Sequence, residues 1–163
     1  MAYLFLREYG KETKEKLLSV FMRGWLIAFL FWLALMLTCT VLARTSKYPF
    51  KNVFNNFGIR NGDSWNTEFV QNVLVFVPYV FFYLQAFKPG KPVKAALVLS
   101  LCTTLFIELS QLLFWLGEFQ FSDILHNVEG GMVGCGLWYA VKAERDNHLL
   151  RRWFERIWKR KKE

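Results

Sequence analysis

Charge is missing from about half of this 163-residue chain. Four stretches, 24–43, 69–87, 95–117 and 124–141, hold 80 residues, yet of the 34 Asp, Glu, Lys and Arg only Glu108 and Glu129 fall inside them. A soluble helical bundle carries a charged stripe at a period of about 3.6 residues along each helix. No such stripe is present, so the reading is a membrane protein in preference to a soluble bundle. Each stretch is close to the roughly 20 residues that cross a hydrocarbon core of about 30 Å as a helix. Cysteine is scarce as well. Cys39, Cys102 and Cys135 each fall inside an apolar stretch, with neither metal-ligand spacing nor a pairing pattern. They are expected to be small buried apolar residues, and Met36-Leu37-Thr38 before Cys39 is a poor lipid-attachment context. No cofactor is expected.

The expected architecture is a single domain over 1–163, an all-α integral membrane protein with four transmembrane helices and amphipathic N- and C-terminal segments. Residues 1–23 mix Leu4, Phe5, Leu6 and Tyr9 with Lys and Glu, then Leu17, Leu18 and Phe21, which suits a short helix on the membrane surface. Val41-Leu42-Ala43 resembles a cleavage site, but the apolar run before it exceeds the roughly 7–15 residues of a signal peptide. The first span is therefore read as uncleaved, with Trp25 as an interface anchor. Residues 44–68 form a polar loop rich in turn signals, among them Tyr48-Pro49 and Asn61-Gly62-Asp63. Pro78 sits inside the second span, where it removes a backbone hydrogen bond and kinks the helix. Residues 142–163 combine nine Lys and Arg with Leu149, Leu150, Trp153, Phe154, Ile157 and Trp158. Such a tail suits an anionic leaflet, and nucleic acid is not the expected partner.

Lys and Arg divide unevenly between the two sides of a four-span chain. Seventeen fall in the N-terminal segment, the 88–94 turn and the tail, and four in the 44–68 loop. The positive-inside rule then places both termini in the cytoplasm.

Several polar residues sit where hydrocarbon rejects them. Glu108 and Gln111 are three apart on one helix face; Asp123 and Asn127 are four apart on another. At 1.5 Å per residue, Asn72, Gln111, Glu108, Asp123 and Asn127 all fall within about 14 Å of the outer ends of their spans. These five are the candidate ligand-binding residues, gathered in a polar cavity open to the outer surface beneath the 44–68 loop. Glu108 is expected to bond Gln111 on its own helix and Asn127 or Asn72 across the bundle. Ser122 or Asp123 is expected to cap the last helix. Gly130 and Gly134 form a GxxxG pair with Gly131 and Gly136 beside it, a close-packing signal. Asp123, His126 and Glu129 are metal-ligand types, but their i, i+3, i+6 spacing drifts around the helix, so no metal site is expected.

These residues carry a family resemblance. Asn72-x5-Pro78, Glu108-x2-Gln111 and Asp123-x3-Asn127-x2-Gly130-Gly131-x2-Gly134, in that order, resemble the VanZ-like membrane proteins, a family named for a teicoplanin-resistance protein. The resemblance implies a small multi-span protein of the bacterial cell membrane, linked in its named member to glycopeptide resistance. Relatives commonly carry an Arg in the turn before the last motif. Here 95–141 contains no Lys or Arg, and Glu129 stands where an uncharged residue is usual.

Energetics favour a function for Glu108. Interhelical polar bonds contribute about 0.6 kcal/mol on average, whereas an acidic residue at the centre of a span costs about 2.5–3.5 kcal/mol on insertion scales. Bonding alone does not offset that cost. The expected function is non-enzymatic: binding of an amphiphile or lipid, such as a lipoglycopeptide or a lipid-linked wall precursor. The alternatives are a lipid- or precursor-modifying enzyme using Glu108 and Asp123 as acid and base, and a non-catalytic scaffold. Ser110 points away from Glu108 and offers it no nucleophile.

Overall fold

The computed structural model describes residues 2–42, 60–61, 64–65, 67–116 and 119–147. Four helices dominate: α1 (Ala2–Leu37), α2 (Thr67–Phe87), α3 (Pro92–Phe114) and α4 (Phe121–Asn147). Three helical segments, Ser19–Leu42, Thr67–Phe87 and Pro92–Phe114, are long and apolar enough to cross a membrane. They correspond to the first three uncharged stretches. α4 is long but less apolar: it carries Ser122, Asp123, His126 and Asn127 on its buried side and Lys142, Glu144, Arg145 and Asp146 near its end.

The N-terminal segment differs from expectation. α1 runs unbroken from Ala2 to Leu37, so residues 2–23 continue the first span's helix and do not form a separate surface helix. Beyond Leu37 the helix widens into a π-helical turn, Thr38–Leu42. The Thr38 and Thr40 hydroxyls donate to the carbonyls of Ala34 and Met36, both at 2.8 Å. Inside the 44–68 loop, β1 (Arg60–Asn61) pairs antiparallel with β2 (Ser64–Trp65), Arg60 opposite Trp65. The rest of that loop, and the tail beyond Asn147, lie outside the described residues. The 142–147 portion continues α4.

Neighbour relations define a ring. α1 packs on α2, α2 most extensively on α4, α4 on α3, and α3 reaches back to the π-helical turn. Glycine makes the α2–α4 contact close. A Cβ at Gly130 would collide with the Val73 carbonyl, and one at Gly134 with the Val77 carbonyl. On the α3 side, a Cβ at Gly131 would strike the Ser100 hydroxyl. Gly136 faces open space.

Pro78 is accommodated without breaking α2. In the turn that its ring disturbs, the Trp32 indole N–H donates to the Val75 carbonyl at 2.8 Å. Toward the 88–94 turn the core is aromatic. Phe29 stacks on Tyr79 at 5.3 Å between centroids, and Trp25 meets Phe81 edge-on at 6.0 Å. The Tyr79 hydroxyl pairs with the Thr103 hydroxyl at 2.8 Å.

The surface is apolar and the interior partly polar. Phe31, Leu74, Leu113 and Phe114 are each more than 60% exposed, while Glu108 and Gln111 are 1% exposed. Soluble proteins bury the first kind and expose the second; this distribution suits hydrocarbon as the solvent. The cysteine expectation needs correcting. Cys135 is buried, but Cys39 and Cys102 are exposed.

Candidate functional site

One cavity, about 210 Å³, lies where the π-helical turn, the start of α2, the end of α3 and the start of α4 meet. Its wall is Cys39 and Thr40; Gln71, Asn72, Val75 and Phe76; Ile107, Glu108 and Gln111; Asp123 and Asn127. The structure thus brings Asn72, Glu108, Gln111, Asp123 and Asn127 to one space. No Lys, Arg or His is among these described lining residues.

Asn72, Glu108, Gln111, Asp123 and Asn127 are each bonded to another segment of the chain. Asn72 Nδ2 on α2 donates to Asp123 Oδ1 on α4 at 2.7 Å. Asn127 Nδ2 on α4 donates to Thr104 Oγ1 on α3 at 2.8 Å. Gln111 Nε2 on α3 donates to the Thr40 carbonyl of the π-helical turn at 3.0 Å. Glu108 Oε2 accepts the backbone N–H of Gln120 at 3.1 Å, tying α3 to the residue that precedes α4. Three of these four bonds join different helices or the π-helical turn, and the fourth secures the helix start.

The three amides have partners that the sequence did not pair with them. Asn72 and Asn127 bond Asp123 and Thr104, and the Gln111 amide reaches the π-helical turn; none of these three bonds goes to Glu108. The capping expectation changes too. α4 begins at Phe121, the Ser122 hydroxyl donates to Gln120 Oε1 at 3.2 Å, and Asp123 takes the Asn72 amide. Asp123 remains in the first turn, where a carboxyl interacts favourably with the helix dipole.

Gln111 has a second role through its backbone. α3 ends with Trp115 in the left-handed region at φ 56°, and the Leu116 N–H returns to the Gln111 carbonyl at 3.0 Å. This is the bond of a Schellman motif, which turns the chain away just past the cavity.

Other candidates lie elsewhere. His126 is buried with its ring edge-on to Phe69 at 4.8 Å, and Glu129 is exposed on the far side of α4. Among the described residues no group of three His, Cys, Asp and Glu could hold a metal ion. Ser110 donates to the Phe106 carbonyl of its own helix at 2.7 Å and does not line the cavity. Thr40, Thr104 and Gln120 were not singled out from sequence. Two act through backbone atoms, which a motif does not display, and Thr104 looks like any small residue of a span.

The VanZ/LLP1 family model matches residues 25–142. The chain belongs to the VanZ/LLP1 family. The matched segment contains every lining residue of the cavity and the three close-packed glycines. No curated protein and no solved structure matches the chain. The VanZ/LLP1 assignment thus agrees with three membrane-length helices in describing a VanZ-like membrane protein.

Proposed function

We propose that this VanZ-like protein binds the polar head of an amphiphile in the cavity. Asn72, Glu108, Gln111, Asp123 and Asn127 form the contact surface. The carrying observation is that these side chains, drawn from three helices, share the wall of one space inside a bundle with an apolar exterior. A space of 210 Å³ is below the roughly 300–1,000 Å³ of sites that enclose a drug-sized molecule. The reading is therefore of one head group, or one substituent of a lipoglycopeptide, entering while the fatty chain lies along the outer helix faces.

In this proposal α4 is the fourth span, both termini are cytoplasmic, and the cavity opens to the outer face of a bacterial membrane. The tail beyond Asn147 lies on the anionic inner leaflet. The physiological consequence is a contribution to glycopeptide or lipoglycopeptide resistance, of the teicoplanin type, by sequestering or shielding an envelope lipid. Reporter fusions after Lys162 and at Trp65 test the orientation, with an outside-only reporter active on the C-terminus as the contrary result. Mass spectrometry of the purified protein tests the binding. A bound amphiphile in near-stoichiometric amount, lost on Asn127→Leu, is expected; purification free of any amphiphile is the contrary result.

A second reading has its own support. Glu108 and Asp123 line one cavity, and two carboxyls are the minimum for acid–base chemistry on a lipid. Product formation from labelled lipid by pure protein would favour it.

A further inference from the structure

We infer that a groove at the end of the bundle opposite the cavity holds an anionic phospholipid, its phosphate on Arg23 and one acyl chain against α1 and α2. The inference rests on the chain being a membrane protein and is independent of what the cavity binds. Helix length makes the groove. α1 and α2 lie side by side through ring contacts of Trp25, Phe29 and Trp32. α2 then stops at Phe87, whereas α1 continues from Trp25 back to Ala2. A flank of α1 is thus left uncovered beside the end of α2. Ser19, Met22, Arg23 and Leu26 share one face of α1 at i, i+3, i+4 and i+7. With Ala86 and Phe87 of α2 they line a groove of about 330 Å³. The Ser19 hydroxyl donates to the Lys16 carbonyl of its own helix at 2.7 Å. Arg23 supplies all the other side-chain hydrogen-bond donors of the described lining.

Shape and charge together select the occupant. Met22, Leu26, Ala86 and Phe87 are apolar, and Met22 and Phe87 are exposed (39% and 52%), so an acyl chain can cover them. An acyl chain alone leaves the Arg23 guanidinium unmatched. A guanidinium is a planar fork of donors that fits two phosphate oxygens at once. No Asp or Glu is among the described lining residues. Arg23 directly precedes the apolar stretch 24–43, the level at which a basic side chain meets lipid head groups. The carbonyl end of α2 beside the groove carries partial negative charge, which Lys88, the next residue, offsets. An apolar helix of another protein would bury the guanidinium without a partner, at a large cost. Phosphatidylcholine brings its own cation beside its phosphate, and Arg23 and Lys88 repel it. An anionic phospholipid covers the apolar wall and pairs the charge with one molecule.

The test is photo-crosslinking of the full chain in phosphatidylcholine bilayers. Phosphatidylglycerol and phosphatidylcholine probes carrying the same diazirine acyl chain are added in turn, and peptide mass spectrometry locates the adducts. Adducts at Met22, Leu26 and Phe87 are expected to form about fivefold more from phosphatidylglycerol, the preference that one basic residue near the surface confers. Adducts at Leu74 and Leu113, exposed residues at the cavity end, should show no such preference. Arg23→Gln is expected to equalise the two lipids in the groove. Lys94→Gln, outside the groove at the same end of the bundle, should leave the preference intact. Arg23 is exposed and Gln has a helix propensity close to that of Arg, so the variant keeps the fold. Equal labelling by the two lipids in the parent, or no adduct in the groove, overturns the proposal. A preference that survives Arg23→Gln, or falls as far in Lys94→Gln, traces it to the diffuse charge of the 88–94 turn and the tail and overturns the site.

Discussion

From Tyr79 to Phe87, α2 meets α1 through aromatic rings; from Gln71 to Phe76, the same helix meets a cavity. α4 approaches so closely, at Val73 within the cavity end and at Val77 between the two ends, that Gly130 and Gly134 have no room for a side chain. Helices in lipid gain little from hydrophobic burial, because the tails are as apolar as leucine, so their association depends on packing and polar bonds. The aromatic end and the glycine seam supply packing. The polar end adds buried Phe76 and Ile107 to its polar bonds and leaves a space. Stability and binding are thereby assigned to different lengths of one helix, and substitutions at the two ends should have opposite effects.

The largest effect is expected at the glycine seam that joins them. Gly134→Leu places a side chain where the Val77 carbonyl stands, and backbone cannot retreat as a side chain can. Overpacking costs typically about 1–3 kcal/mol and more in rigid sites, so a loss of about 3 kcal/mol or failure to fold is expected. Gly136→Leu meets nothing and should stay within about 0.5 kcal/mol of the parent. Thermal unfolding in detergent distinguishes the two. Equal melting of both variants would mean that α2 and α4 are not in backbone contact.

Next comes the aromatic end. Phe29→Ala removes a buried ring that stacks on Tyr79 and meets Tyr83 and Phe87. A loss of about 3 kcal/mol is expected, at the lower end of phenylalanine truncations, with ligand retention unchanged in the fraction that remains folded. Reduced affinity in well-folded protein would erase the division between the two ends.

At the polar end the pattern reverses. Asn127→Leu removes a bond to Thr104 worth about 0.6 kcal/mol in a membrane bundle. Glu108→Gln keeps an oxygen for the Gln120 N–H and should cost less than about 1 kcal/mol. Both should melt close to the parent and lose bound amphiphile, and with it drug resistance in cells. Full resistance with unchanged melting in Glu108→Gln would leave Glu108 as structural glue.

The spans and the polar end were legible in sequence, for physical reasons; the aromatic end was not. Three spans were plain because hydrocarbon imposes length and removes charge. Polar residues at three- and four-residue spacing showed which faces turn inward. The ordered Asn72, Glu108, Gln111, Asp123 and Asn127 motifs showed the VanZ/LLP1 family. Their hydrogen-bond partners were not legible. Gln111 bonds a backbone carbonyl 71 residues away in a π-helical turn, and nothing in Thr38-Cys39-Thr40 announces that widening. Glu108 bonds a backbone N–H, which every non-proline residue offers. The continuity of α1 through residues 2–23 was hidden for another reason. An amphipathic composition is compatible with both a separate surface helix and the first turns of a longer one.

The smallest expected effect concerns how α2 and α3 end. Lys88, at the aromatic end, and Trp115, at the polar end, both occupy the left-handed region, with φ of 44° and 56°. That conformation costs a residue with a Cβ about 1–2 kcal/mol, and glycine takes it freely. Glycine, however, loses more backbone entropy on folding, which returns roughly 0.5–1 kcal/mol of the gain. Lys88 also sits just past a helix C-terminus, where its charge contributes a few tenths of a kcal/mol, about 0.3 or more. The balance for Lys88→Gly is a stabilisation of about 0.5 kcal/mol. Trp115→Gly relieves the same strain but removes a half-exposed indole (53%) from the cavity end of the bundle, where Trp anchors a membrane interface. It should therefore gain nothing or lose slightly. Paired melting curves of the two variants decide the matter. A gain in Trp115→Gly equal to that in Lys88→Gly would show that the indole anchors nothing and that the cavity end is held by its polar bonds alone.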